Sequence, residues 1–132
     1  MDRLAGYHDV LGEVDPRLVV TGDYTSDGGE AAMEQLLRQV PELDAVFVSS
    51  DLMASGAMAA LRRAGKRIPD DVAVGGFDDS KVATTSVPRL TTIRQPWERI
   101  SAEMVRLLLG HLAGDSHAAV ILPTELVVRE SA

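Results

Sequence analysis

The stretch DAVFVSSDLMASGAMAALRRAGKRIPDDVAVGGFDDS, residues 44–80, decides how the chain folds. It opens on a short apolar run, Ala45-Val46-Phe47-Val48, and another, Val72-Ala73-Val74, stands near its end. Short runs without polar alternation predict strands buried on both faces, as in parallel sheets. Between them, Met53, Gly56, Ala57, Ala60, Leu61 and Ala64 fall on one helical stripe. Asp51 is placed to cap the start of that helix, and Gly65 to supply a left-handed residue at its end. Strand, helix, strand implies a right-handed βαβ crossover and a parallel sheet.

The same unit extends toward the amino terminus. Leu18-Val19-Val20 is a further apolar run, and with Val19, Val46 and Ala73 as reference points the runs recur every 27 residues (46 − 19 and 73 − 46). Met33, Leu36, Leu37 and Val40 follow the i, i+3, i+4, i+7 spacing of a helix, and Asp27 with Glu30 resembles a capping box at its start. Leu4, Tyr7, His8 and Leu11 predict one more helix, ending near Gly12. A helix with no strand before it is unusual for this architecture and suggests a chain that begins in the middle of a larger fold. Toward the carboxyl terminus, residues 79–90 read as a loop, and Pro88 and Pro96 bracket an extended piece, Leu90 to Ile93. A helix is predicted from about Trp97 to Leu112, ended by Gly114. Its apolar positions, which include Trp97, Ile100, Met104, Leu107 and Leu108, cover a wider arc than one core-facing stripe needs. Val120-Ile121-Leu122 and Leu126-Val127-Val128 read as strand interrupted at Pro123.

At 132 residues, with 45% hydrophobic and 25% charged residues, the chain suits one globular domain with a real core. Its formal net charge of −7 argues against nucleic-acid binding by this chain itself, because phosphate binding needs a basic face. The absence of cysteine excludes disulfides, thiolate nucleophiles and cysteine-based zinc sites. No apolar run reaches membrane-span length, and MDRLAGYHDVL lacks the basic-then-apolar layout of a signal peptide, so the expectation is a soluble cytoplasmic protein without a membrane partner. His8, His111 and His117 have no metal-ligand spacing, and the GxGxxG, Walker, GxSxG and HExxH patterns are absent. No cofactor or metal is expected.

In open parallel α/β sheets, ligands bind outside the carboxyl ends of the strands. Thr21, Gly22, Asp23 and Tyr24 follow the first apolar run, Ser49, Ser50 and Asp51 the second, and Gly75, Gly76, Phe77, Asp78 and Asp79 the third. These groups combine carboxylates, hydroxyls and aromatics without Lys or Arg, which suits a neutral polyhydroxylated ligand better than a phosphate. A carboxylate can accept two strong hydroxyl hydrogen bonds, and an aromatic face packs on a sugar ring. Other readings stay open at this point. Asp51 could serve only as a helix cap, Tyr24 only as a half-buried rim residue, and Asp70-Asp71 after Pro69 only as a turn. Asp78 and Asp79 fit an Asx turn, a ligand clamp or, with Asp51 and Asp78 paired, the acid–base carboxylates of a hydrolase.

Residues 44–80 resemble the effector-binding domain of the lactose-repressor (LacI/GalR) family of bacterial transcription regulators. RLAGYHDVL (3–11), TGDYTSDGG (21–29), RLTTIRQPWERIS (89–101) and ILPTELVVRES (121–131) match further family segments in the same order. The resemblance implies an α/β fold: a parallel-sheet three-layer sandwich, the second lobe of a type I periplasmic-binding-protein-like fold, truncated. The second lobe would span about 1–90, the crossover and C-terminal helix about 91–114, and the C-terminal strand about 119–129. It also implies a small effector, a sugar, bound in a cleft between two lobes, with allosteric control of operator DNA through a helix-turn-helix that this chain lacks. A periplasmic-type sugar-binding protein is the alternative. The ligand-binding residues implied by matching motifs are Arg3, Tyr24, Ser50, Asp51, Phe77, Asp78 and Gln95. Ser50 departs from the asparagine or threonine often found at its place. Helix 97–112 would pack on a first lobe that is almost wholly absent here. The wide apolar arc predicts self-association through Trp97, Ile100, Met104, Leu107 and Leu108, as a homodimer or a swapped oligomer.

Overall fold

The computed structural model describes residues 3–115 and 119–132. Its elements are α1 (Arg3–Leu11), a 3-10 turn (Pro16–Leu18), α2 (Ser26–Gln39), β1 (Ala45–Phe47), α3 (Asp51–Arg63), β2 (Ala73–Asp78), α4 (Lys81–Thr85), β3 (Thr91–Arg94), α5 (Trp97–Leu112) and β4 (Glu125–Val127). The sheet order is β1-β2-β3-β4, with β1, β2 and β3 parallel and β4 antiparallel to β3. This is a mixed α/β, mostly parallel sheet, as the apolar runs and intervening helices imply.

The core lies where α3 meets β2 and β3. Met58, Leu61, Val72, Val74 and Leu90 are almost completely buried there. α2 packs on α3 at backbone range, and two glycines permit this. A Cβ at Gly29 would stand 2.1 Å from the Met53 carbonyl oxygen, and one at Gly56 would stand 1.8 Å from that of Ser26. Glu30 and Glu34 of α2 then reach Arg63 of α3 across the same contact. Along β2, Gly76 faces the first residue of α3, so by strand alternation Phe77 faces the other side, where Arg3 of α1 lies over its ring. Helices therefore flank the sheet on both faces, although no residue of α1 is buried.

Several local expectations change. Leu18–Val20 is not a ladder strand: Asp15 accepts a hydrogen bond from the Arg17 amide at 2.9 Å and Pro16 opens a 3-10 turn, so the run begins coiled and continues extended. β1 is not buried on both faces, since Ala45 and Phe47 are exposed. α2 is capped by Thr25, whose hydroxyl accepts the Gly28 amide at 2.9 Å, and not by an Asp27–Glu30 box, because Asp27 already lies inside the helix. Residues 79–90 contain α4, whose first turn closes on Ser80. Val120-Ile121-Leu122 forms no ladder, and β4 begins only after Pro123. Gly12 and Gly65 do terminate their helices at φ 73° and 74°, and α5 has its expected span.

The segment after β4 is sewn into the base of the sheet. The Ser131 hydroxyl donates to the Val74 carbonyl at 2.6 Å and accepts from the Thr91 amide at 2.8 Å, and Ser131 is fully buried. Arg89 and Glu130 pair on the surface above it.

No residue of α5 is buried: Met104, Leu108 and Leu112 are 65%, 58% and 74% exposed. Its Ile100 and Leu107 are only partly covered. No described helix is long and apolar enough to cross a membrane.

The glycine contact between α2 and α3 yields a direct test. Gly56→Ala should destabilise the fold by about 1–3 kcal/mol, seen as a lower urea midpoint with unchanged slope, because the methyl group would meet backbone that cannot move independently. Gly6→Ala, in an exposed helix with open space around it, should instead stabilise by roughly 0.5–1 kcal/mol.

Candidate functional site

The carboxyl ends of the strands converge on one rim, and beneath it sits Asp51. The extended backbone of Ser50 turns its hydroxyl onto the Met53 amide at 3.3 Å, so Ser50 is the N-cap of α3. Asp51, expected to cap, is instead the first helical residue and is fully buried. Its Oδ1 accepts the Thr92 hydroxyl and its Oδ2 the Ser80 amide, both at 2.6 Å. Gly76 makes room for it, since a Cβ there would stand 2.6 Å from Asp51 Oδ1. Asp51 thus joins α3, the loop before α4 and β3, with both oxygens engaged inside the protein. Ser50 is likewise buried.

Asp78 and Asp79 end β2 in backbone conformations rare for non-glycine residues, at φ 120° and 55°. Their side chains have different partners. Asp78 Oδ1 accepts the Gln95 side-chain amide at 2.7 Å, and the Asp78 main-chain oxygen accepts the Trp97 indole N–H at 3.1 Å. Burial pushes the Asp78 carboxyl above its ordinary pKa. The Gln95 bond and the charge of Arg3 oppose that rise, and the nearby Asp51 adds to it. Asp79 accepts Arg94 Nε and Arg129 Nη2, each at 2.6 Å. Burial would raise its pKa too, but the two guanidinium groups outweigh that and hold it below the usual carboxylate range.

Arg3 stacks 4.1 Å above the centre of the Phe77 ring. Its Nε is buried without a hydrogen-bond partner, and so is the Ser80 hydroxyl. Buried donors without partners are uncommon. Ser80 escaped sequence reasoning because a serine after two aspartates carries no distinctive spacing. Tyr24 is 61% exposed and adopts φ 65°. Together with Arg3 and Ser49 it stands at a cavity of about 540 Å³, whose inner wall is apolar and includes Met33, Leu36 and Val46. The structure therefore brings Arg3, Phe77, Asp78 and Gln95 together, places Tyr24 at the mouth of the adjoining cavity, and sets Ser50 and Asp51 below the surface.

Among the described residues no group of three or more His, Asp or Glu side chains could hold a metal. His8 packs edge-on against Tyr7, His111 lies in the last turn of α5, and His117 is outside the described residues. Asp70 and Asp71 form the expected turn, with both carboxylates on Arg67.

A family model for the periplasmic binding protein-like domain matches residues 2–132. The chain is 46% identical to the HTH-type transcriptional regulator CelR of Thermobifida fusca over 99% of its own length and 40% of that protein's. It is 37% identical to the HTH-type transcriptional repressor CytR of Escherichia coli over 98% of its length and, again, 40% of the relative's. The solved structure of a CelR–cellobiose complex superposes with a TM-score of 0.92 at 46% identity, covering 98% of this chain and 42% of that one. A LacI-family regulator from Mycobacterium smegmatis gives 0.91 at 30% identity, covering 98% and 51%. The chain thus spans less than half the length of the curated relatives it matches. It belongs to the periplasmic binding protein-like domain family, in the form that LacI-family transcription regulators carry.

Proposed function

We propose that this chain is the ligand-sensing portion of a cytoplasmic transcription regulator. It binds a small neutral effector, a sugar, and biases DNA binding by a helix-turn-helix located elsewhere in the protein. The observation that carries this reading is the rim formed by Arg3, Phe77, Asp78 and Gln95. An aromatic ring, a carboxylate with one committed oxygen, an amide and a guanidinium with a buried free donor can together meet the face and the hydroxyls of a sugar. Tyr24 adds an exposed ring beside it. Ser50 and Asp51 hold the floor of the same site. The cellobiose complex of the CelR relative supports a saccharide as the ligand class.

The effector acts by population shift: it favours the lobe arrangement to which it binds more tightly, and that difference in affinity is all it can transmit. Gln95 and Trp97 touch Asp78 from the segment that leads into α5, so the site and that helix are in direct mechanical contact. The open apolar surface of α5 supports association with a second copy of this chain through Trp97, Ile100, Met104, Leu107 and Leu108, because an exposed patch of this kind marks an interface.

Calorimetry of the isolated chain against a panel of sugars should show weak binding or none, because one lobe supplies only half of a two-sided cleft; tight binding would refute the two-lobed reading. In a regulator carrying both lobes, Asp78→Ala should weaken cellobiose binding by roughly 10-fold or more, the loss of a charge-assisted hydrogen bond. Light scattering of the isolated chain should report a dimer or larger species, and Leu108→Lys should shift it toward monomer. A clean, stable wild-type monomer would sink the self-association proposal.

A further inference from the structure

We propose that Asp79 is the positioning residue of the effector site: clamped between Arg94 and Arg129, it holds the turn that presents the Asp78 carboxylate to the rim. This rests on the reading of Asp78 as an effector contact. Asp79 itself cannot serve a ligand. Its side chain is only 8% exposed, and each of its oxygens already accepts a guanidinium N–H at 2.6 Å.

Two consecutive non-glycine residues at positive φ do not persist unless their surroundings hold them there. The Asp79 carboxylate supplies that hold from two independent directions. Arg94 comes from the end of β3, and its other arm reaches Glu125 of β4 at 3.2 Å. Arg129 comes from the segment after β4. It is anchored in turn, with its Nη1 donating to the Leu90 carbonyl and its amide to the Thr91 hydroxyl, each at 2.8 Å. The clamp therefore ties the end of β2 to β3 and β4 at their carboxyl and amino ends respectively. With Asp79 drawn that way, Asp78 is left facing Gln95 and the Trp97 indole. Arg129 lies 50 residues from Asp79 in sequence, so a distant segment sets the aim of a rim carboxylate.

The sequence contains a single tryptophan, so the Trp97 indole N–H gives one NMR resonance that reports directly on the Asp78 main-chain oxygen. Asparagine matches aspartate in shape and tolerates positive φ, so Asp79→Asn keeps the backbone but removes the charge and turns one of the two acceptors into an N–H donor facing a guanidinium. In the full chain, this substitution should move the indole resonance toward its free position and reduce its hydrogen-exchange protection at least tenfold. Asp79→Gly, which also relieves the backbone, should do the same. If either variant folds and keeps the wild-type resonance and protection, backbone geometry alone positions Asp78 and the proposal is overturned. A lowered melting temperature with an unmoved resonance counts the same way, as a purely structural role. Should both variants fail to fold, Arg94→Gln carries the test from a half-exposed side chain: a displaced resonance supports the clamp and an unmoved one overturns it. These measurements need no ligand. Failure of a two-lobed regulator to bind cellobiose or any other sugar would overturn the effector-site reading instead, and the two failures are distinguishable.

Discussion

The fold turns on a buried acid. Asp51 has no exposed surface, and no ion pair to it is found among the described residues. It is tolerated because it stands in the first turn of α3, where the helix dipole favours negative charge, and because both oxygens accept short hydrogen bonds. Those bonds reach the Ser80 amide and the Thr92 hydroxyl, which belong to the loop after β2 and to β3. One side chain thus sets how α3 sits over the sheet and where β2 ends. Gly76 is the complementary constraint, because any side chain there would occupy the space the carboxyl group needs. The rim above inherits its shape from this cross-link: Phe77 and Asp78 leave β2 directly above a point that cannot shift.

The molecule is strongly one-sided. Burial concentrates on the α3 face of the sheet, while α1 and α5 contribute no buried residue. Polar fastening takes over where apolar contact is thin. Arg3 lies on Phe77, Trp97 donates to Asp78, and the Arg94–Asp79–Arg129 group fastens the carboxyl end of β2. These contacts converge on the rim, so the weakly packed elements are attached to the body of the protein at the place proposed for the effector. Such an arrangement lets a small change at the rim redirect elements that have little else to restrain them.

Much of the architecture was legible in residues 44–80, because the strand and helix periods there are strong and unbroken. α5 was legible for the same reason, and its wide apolar arc corresponds to a helix with no buried residue. What escaped was local chemistry in competition with pattern. The Leu18–Val20 run has strand-like composition, yet Asp15 and Pro16 impose a turn on it first. Asp51 has the spacing of a cap, but Ser50 precedes it and takes that place, which releases the aspartate inward. The roles of Asp79, Ser80 and Arg129 depend on partners tens of residues away, and no single-sequence spacing encodes a contact between Asp79 and a residue 50 positions on.

The Ser131 hydroxyl sits between Val74 and Thr91, and its bond to Val74 spans 57 residues of chain. During synthesis, Val74 leaves the ribosome long before its partner exists. At about 5–20 residues per second the interval is roughly 3–11 s. For that time β2 has its helix but not its last hydrogen-bonding neighbour, and Asp79 waits 15 residues for Arg94 and 50 for Arg129. The nascent chain therefore passes through a period in which the sheet base is open and the rim unaimed, and in a crowded cell this is the window in which a chaperone would have the most to do.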